Sequence, residues 1–195
     1  QQSLDIVART LLDPGDTIVV ERPTYLAALQ VFQLAQANIL SVDTDDDGML
    51  VEQLADLLET TRVKAVYLVP TFGNPGGKTL SEARRRRLVE LAKKYDFVIL
   101  EDDPYGDLYF DAAPPASLLA LSHTVPGSRQ WLAHCGSLSK VLSPGLRIGW
   151  LIANPELLSR AVMCKQFSDA HTSTFAQATA AQHLKAGHMP AALAK

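Results

Sequence analysis

The chain has 195 residues, of which 47% are hydrophobic and 20% charged, and its formal net charge is −3. These values are ordinary for one soluble globular domain, and they argue against nucleic acid or an anionic membrane surface as the main partner. No apolar run approaches the length of a membrane span, and the first residues lack the charged region and cleavage site of a signal peptide.

Apolar runs and helical patterns alternate along the chain. The predicted strands are dense in Val, Ile and Leu and occupy residues 17–21, 38–42, 64–69, 97–101, 131–134 and 148–153. The predicted helices occupy residues 4–12, 25–37, 50–60, 80–95 and most of 155–184. Strands of this composition are typical of a sheet covered on both faces. The predicted fold class is therefore a three-layer α/β/α domain with a mostly parallel sheet of about six to seven strands.

Charged residues between these elements have ordinary explanations. Thr79 and Glu82 have the spacing of a capping box at the start of the fourth helix. The arginine run at residues 84–87 falls on that helix and is interpreted as a solvated face with ion pairs, because consecutive side chains point around a helix. The acidic run at residues 43–47 lacks the terminal glutamate of a calcium loop, since Glu52 comes too early, so no metal site is predicted.

Residues 136–150 carry the most specific chemical signal. Ser137 and Ser139 flank a single lysine, Lys140, and Arg147 follows seven residues later. A partly desolvated lysine with a cation nearby becomes a nucleophile toward an aldehyde, while Arg147 and Ser137 suit a phosphate group. The alternative is an ordinary loop with a solvated lysine.

Three more polar segments follow predicted strands. Asp102 and Tyr105 are three residues apart, so that one turn could direct both into a pocket, although an acidic turn that caps the next element is the alternative. Asn74 opens a strong turn signal. Tyr25 is either a core aromatic or a platform for stacking. Because parallel strands present their carboxyl ends at the same edge of a sheet, these segments could form one site.

In this order, the four segments resemble the class I/II aminotransferases, which are fold-type I enzymes that use pyridoxal 5′-phosphate (PLP). The family's Ser-x-Ser-Lys, followed by Pro-Gly-x-Arg-x-Gly, matches residues 137–149. Its Asp-x-x-Tyr, Asn-Pro-x-Gly and Pro-x-Tyr motifs match residues 102–105, 74–77 and 23–25. Residues 1–16 resemble the helix after the family's phosphate loop. One departure is Gly76, where the family commonly has threonine.

The resemblance implies a role for each matching residue. Lys140 forms the internal aldimine and then acts as general base and acid. Asp102 pairs with the pyridine nitrogen, Tyr105 and Asn74 hydrogen-bond the ring oxygen, and Tyr25 stacks on the ring. The residues implied at the phosphate are Ser137, Ser139, Arg147 and Gln1.

The resemblance also implies a domain and its partners. Residues 1–195 would form the PLP-binding large domain, without the N-terminal segment and the small C-terminal domain that completes the family's active site. The substrates would be an α-amino acid and a 2-oxo acid, and the full-length protein would be a homodimer. Cys135 and Cys164 are interpreted as reduced thiols, so we expect a cytoplasmic protein.

Two alternative functions stay open. Some bacterial transcription factors fuse a DNA-binding winged helix to an aminotransferase-like domain, and a basic segment before Gln1 would identify one. Other PLP reactions, such as β-elimination or decarboxylation, use the same fold and the same cofactor-binding residues. The sequence as a whole resembles the subgroup of aminoadipate and aromatic aminotransferases.

Overall fold

The computed structural model of the chain describes residues 1–187 together with Met189 and Leu193. The helices are α1 Gln2–Leu11, α2 Leu26–Leu34, α3 Val51–Thr60, α4 Glu82–Tyr95, α5 Leu118–Ser122, α6 Pro155–Asp169 and α7 Thr174–Lys185. The strands are β1 Thr17–Arg22, β2 Asn38–Asp45, β3 Gly48–Met49, β4 Ala65–Leu68, β5 Val98–Asp103, β6 Leu132–Ser137 and β7 Gly149–Ile152. Short 3₁₀ turns occupy Arg129–Trp131 and Pro144–Leu146.

Within the described residues the strands form one seven-stranded sheet in the order β3-β2-β1-β4-β5-β6-β7. The pairs from β2 to β6 are parallel, whereas the edge strands β3 and β7 pair antiparallel. The mostly parallel α/β sheet predicted from the sequence is therefore confirmed.

Each face of the sheet has its own apolar core, because neighbouring strand residues point to opposite faces. On β1, Val19 packs with α3, α4 and α5, whereas Ile18 and Val20 pack with α1, α2 and α6. On β5, Ile99 joins the first core and Leu100 the second. This alternation gives the chain its three layers and decides which side chains at the strand ends face which helices.

Several helix ends follow from local chemistry. Asn154 caps α6 by accepting a hydrogen bond from the backbone N–H of Leu157 at 2.9 Å, and Pro155 opens the helix where no partner for its nitrogen is needed. The predicted capping box of α4 is wrong: the side chain of Ser81, the N-cap residue, makes no capping bond, and Thr79 Oγ1 accepts from the N–H of Phe72 instead.

The structure corrects the interpretation of the arginine run. Arg84 and Arg87 pair with acidic residues at the surface, as expected, but Arg85 is fully buried. Two elements lay outside the predictions: strand β3 and the short helix α5. The strand predicted at 131–134 begins one residue later and extends to Ser137, which brings it to the lysine loop.

Two further findings concern the thiols and the capacity of the helices to span a membrane. Cys135 and Cys164 are both free, with Cys135 buried and Cys164 half-buried. In the part of the chain that the structure describes, no helix combines the length and the apolar character needed to cross a membrane.

Candidate active site

One cavity of about 250 Å³ brings together every residue that the sequence nominated for the site. It lies where β1, β4, β5 and β6 end. The nominated residues in its lining are Gln1, Tyr25, Asn74, Asp102, Tyr105, Ser137, Ser139, Lys140 and Arg147. Residues separated by more than a hundred positions in sequence meet because parallel strands end at the same edge.

The lysine loop leaves β6 and returns as β7 through an unusually close approach. Gly136 pairs with Trp150, and a Cβ added to Gly136 would lie 2.2 Å from carbon atoms of the indole ring. A Cβ on Gly149 would lie 2.8 Å from the carbonyl oxygen of Gly136. Both glycines are therefore required by space. They let the two strands hold Ser137 and Lys140 at the cavity.

Hydroxyl and guanidinium groups line part of the cavity. Ser137 Oγ accepts a hydrogen bond from the backbone N–H of Ser139 at 3.1 Å, which bends the loop over the strand end. Arg147 adopts a left-handed backbone with φ of 54° and donates from Nη1 to the carbonyl oxygen of Pro144 at 3.1 Å. Gln1 donates from Nε2 to the carbonyl oxygen of Ala27 at 3.4 Å. The donors and the positive charge suit an anion.

A half-buried carboxylate also lines the cavity. Asp102 lies next to the end of β5, and its Oδ2 accepts a hydrogen bond at 3.0 Å from the hydroxyl of Tyr67 on β4. Burial raises the pKa of Asp102, and the hydrogen bond from Tyr67 opposes that rise. Among the described residues, none donates a hydrogen bond to Oδ1. A carboxylate of this kind suits a cationic N–H group.

The remaining nominated residues differ in exposure. Tyr25 and Tyr105 are half-buried at the cavity, where their rings pack against the second core. Asn74 and Lys140 are exposed. The partial desolvation expected for Lys140 is therefore wrong for this structure, since the amine is open to solvent. An exposed primary amine beside anion-binding groups and a half-buried carboxylate can still react with a bound carbonyl compound.

Sequence reasoning assigned no role to four polar residues around the site, of which three are buried and His134 is half-buried. Glu101 accepts hydrogen bonds from the N–H groups that start α5 and from His134 Nδ1 at 2.8 Å. Arg85 donates to the loop after β4, and Tyr67 donates to Asp102. Tyr67 stood inside an apolar run and received no role, whereas Glu101 stood beside Asp102 as a competing carboxylate that composition alone could not separate from it. The available signal was a polar group inside a strand, which needs a partner when buried.

A larger cavity of about 910 Å³ lies beside the site. Its lining is mainly apolar and includes Leu138, Val141, Ile148, Trp150 and Leu184. The chemically reactive groups line the smaller cavity instead, where an amine, a guanidinium, hydroxyls and a half-buried carboxylate converge. We therefore place the candidate active site there.

Comparison with known proteins identifies the family of the chain. The family model described as "Aminotransferase class I and II" matches residues 1–192. The chain belongs to this family. The sequence is 42% identical over 194 residues to aromatic-amino-acid aminotransferase 1 of Thermococcus litoralis, covering 97% of this chain and 45% of that protein.

Two further matches bear on function. The crystal structure of LysN, an α-aminoadipate aminotransferase from Thermus thermophilus complexed with N-(5′-phosphopyridoxyl)-L-leucine, has a TM-score of 0.93 and 35% identity, covering 98% of this aminotransferase-family chain and 49% of LysN. The uncharacterized HTH-type transcriptional regulator YisV of Bacillus subtilis is 35% identical over 187 residues, which are 96% of this chain and 38% of the regulator. The chain thus spans less than half the length of these curated relatives.

Proposed function

We propose that this chain is the PLP-binding large domain, residues 1–195, of an aminotransferase that moves an amino group between an α-amino acid and a 2-oxo acid. The observation that carries the proposal is the single cavity shared by Lys140, Asp102 and Arg147. An amine, a carboxylate and a guanidinium are what an aldehyde, a protonated ring nitrogen and a phosphate require. Membership of the aminotransferase family supports this assignment.

The donor set of the cavity fits PLP group by group. Arg147, Ser137 and Ser139 would bind the phosphate, with Gln1 as a further donor. The carboxylate of Asp102, one oxygen of which has no hydrogen-bond partner among the described residues, would pair with the ring nitrogen. The cavity thus offers both the positive and the negative groups that the charges of the cofactor require.

Three other side chains would complete the binding of the ring. Tyr105 and Asn74 would hydrogen-bond the ring oxygen, and Tyr25 would cover one face of the ring. Each of them lines the cavity. When bound, PLP supplies an aldehyde that bonds to amines and a ring that withdraws electrons. Lys140 would hold the cofactor through Nζ and, as the nearby amine, carry a proton to and from the substrate.

A homodimer in the cytoplasm completes the proposal. Val162, Met163 and Phe167 on α6 and Phe175 on α7 are all exposed apolar side chains. Contiguous exposed apolar residues are typical of association surfaces. Two free thiols are typical of a reducing compartment. The net charge of −3 argues against a nucleic-acid surface on this domain.

A second candidate is the effector domain of a winged-helix regulator, which the match to YisV favours. Asn74 within an intact Asn-Pro turn favours the enzyme instead. A different PLP reaction, such as β-elimination or decarboxylation, would use the same cofactor residues, so product analysis must separate it from transamination.

The first experiment is a PLP titration of the purified protein, in the longest form that its gene encodes. We expect a Lys140-dependent absorbance band that is lost in Lys140→Ala and kept in Lys94→Ala, a matched change on the distant helix α4. Borohydride reduction followed by mass spectrometry should find PLP on the peptide that contains Lys140. A wild-type protein without this band or adduct would overturn the proposal.

Catalysis is tested next with amino donors and 2-oxo acid acceptors. Aromatic amino acids and 2-aminoadipate are the first donors, because two similar proteins carry these substrates in their names. Stoichiometric appearance of a new 2-oxo acid and a new amino acid supports transamination. Release of ammonia or carbon dioxide instead would identify elimination or decarboxylation, and PLP binding without turnover would favour the regulator.

A further inference from the structure

The carboxylate of Asp102 is hydrogen-bonded by Tyr67, a residue that lies in none of the matched motifs. Tyr67 Oη donates to Asp102 Oδ2 at 3.0 Å. Asp102 lines the cavity, whereas Tyr67 is 0% exposed and does not reach it. The hydroxyl therefore contacts the carboxylate from the protein side and leaves Oδ1 for a ligand.

The position of this phenol is fixed by the sheet and by its packing. Tyr67 lies on β4 in register with Leu100 of β5, two residues before Asp102. Its ring meets Phe32 of α2 edge to face, with centroids 5.4 Å apart. A buried aromatic ring in such a contact has few alternative rotamers. The hydroxyl is thus held at one point beside Asp102.

The charges around the pair favour the phenol as donor and the carboxylate as acceptor. Burial raises the pKa of Tyr67 well above its usual value, and the charge of Asp102 raises it further, so the phenol keeps its proton. Burial also raises the pKa of Asp102, while the hydrogen bond from Tyr67 lowers it. The amino group of Gln1 and His134 act in the same direction as Tyr67, and Asp103 acts against it.

We propose that Tyr67 is a positioning residue that fixes the carboxylate of Asp102 through Oδ2, so that Oδ1 meets the ring nitrogen of bound PLP. This proposal rests on the proposed function. Tyr67 touches neither cofactor nor substrate; it acts through Asp102. Hydrogen bonds to charged groups are stronger than those between neutral groups, and they keep their geometry in a buried site.

The test is Tyr67→Phe, which removes the hydroxyl and keeps the ring that packs on Phe32. We expect the dissociation constant of PLP, measured by equilibrium dialysis, to rise about 10-fold, the size of one lost hydrogen bond to a charged group. Tyr95→Phe is the matched control, because Tyr95 lies at the end of α4 and its hydroxyl accepts only from Lys94 among the described residues. That variant should bind PLP like the wild type.

A double-mutant cycle with Asp102→Asn separates positioning from general support of the fold. If Tyr67 acts through the carboxylate, Tyr67→Phe should change PLP affinity much less in the Asp102→Asn protein than in the wild type. A loss of stability would instead weaken binding equally in both backgrounds. Equal effects in the two backgrounds would overturn the proposal, even if Tyr67→Phe alone weakens PLP binding.

The pH dependence of PLP affinity gives a second readout. Pairing with the ring nitrogen requires ionised Asp102, so affinity should fall as pH drops through the pKa of that carboxyl. Without the phenol that pKa is higher, and affinity should begin to fall at a higher pH in Tyr67→Phe. The other titratable groups near Asp102, which are the Gln1 amino group, Glu101, Asp103, His134, Cys135, Lys140 and Arg147, are the same in both proteins.

Failure of this proposal and failure of the proposed function give different results. If the wild type forms no Lys140-dependent complex with PLP, both are overturned. If the wild type binds PLP and Tyr67→Phe matches Tyr95→Phe in affinity and pH profile, only the role of Tyr67 is overturned. Weaker binding that depends on Asp102, with a shifted pH profile, supports the role.

Discussion

Two consecutive carboxylates at the end of β5 lie on opposite faces of the sheet and have different surroundings. Glu101 follows Ile99 on the face of α4 and α5, and both of its oxygens accept hydrogen bonds from protein groups. Asp102 follows Leu100 on the face of α1 and α2, and within the described residues its carboxylate has a bond to one oxygen alone, from Tyr67. A carboxylate whose two oxygens both accept hydrogen bonds from the protein stabilises the fold, whereas one with an oxygen that accepts none can bind a ligand.

The Glu101 face is a closed polar network. The carboxylate receives the N–H groups of Leu118 at 2.7 Å and Leu119 at 3.0 Å, so it serves as an anion at the start of α5. Burial alone would lower the pKa of His134, but the hydrogen bond and the charge of Glu101 raise it overall. The charge of Glu101 also acts on the buried Arg85.

The strongest way to break this network is to remove Arg85. Its guanidinium donates to the carbonyl oxygens of Pro70 at 2.7 Å and Leu80 at 2.8 Å and to Thr71 Oγ1 at 2.9 Å. Arg85→Leu would leave these acceptors and the charge of Glu101 without their cation. We expect the free energy of unfolding in urea to fall by about 3–5 kcal/mol.

The neighbouring arginine is the control for that experiment. Arg86 lies on the surface of the same helix, and its side chain is 45% exposed. Arg86→Leu should change the free energy of unfolding by no more than about 0.5 kcal/mol. Similar losses in both variants would mean that the buried bonds of Arg85 contribute little.

A pair of conservative changes sharpens the contrast between the two carboxylates. Glu101→Gln should lower the free energy of unfolding by about 2 kcal/mol, because charged hydrogen bonds are lost and the new amide places donors against donors. Asp102→Asn removes a partly desolvated charge that lacks a full set of partners among the described residues, so stability should hold or rise. PLP affinity should respond in the opposite order, with about a 10-fold or larger loss for Asp102→Asn.

Urea unfolding and equilibrium dialysis with PLP on the same two variants check whether stability and PLP affinity respond in opposite orders. Both proteins should be measured without cofactor for stability, because bound PLP would itself stabilise the folded state. A loss of stability in Asp102→Asn as large as that in Glu101→Gln would contradict the assignment of fold stabilisation to Glu101 and ligand binding to Asp102.

The sequence nominated the residues of the cavity more completely than the residues that support them. Lys140, Asp102 and Arg147 were nominated from polar segments after strands and line one cavity, because residues near one sheet edge need only the order of the strands to be placed together. Arg85 was misread, since a helix pattern cannot tell which of four consecutive arginines faces a gap between loops. Tyr67 received no role, because its partner is 35 residues away and is found only through strand register.

The smallest effect concerns another buried carboxylate, Glu21 at the end of β1. Among the described residues it accepts one hydrogen bond, from the N–H of Val69 at 3.1 Å. Burial raises the pKa of Glu21 to about 7 from an ordinary value of 4.5, although that N–H lowers it. The folded protein therefore binds the proton more tightly than the unfolded chain, so stability should be greatest below pH 4.5 as far as this group is concerned and fall as pH rises to about 7.

Glu21→Gln keeps an acceptor for Val69 and should remove roughly 1–2 kcal/mol of that pH-dependent loss. Urea unfolding at pH 5 and pH 8 checks this, with the exposed Glu59→Gln as control. An equal advantage of Glu21→Gln at both pH values would show that packing, and not ionisation, separates it from the wild type.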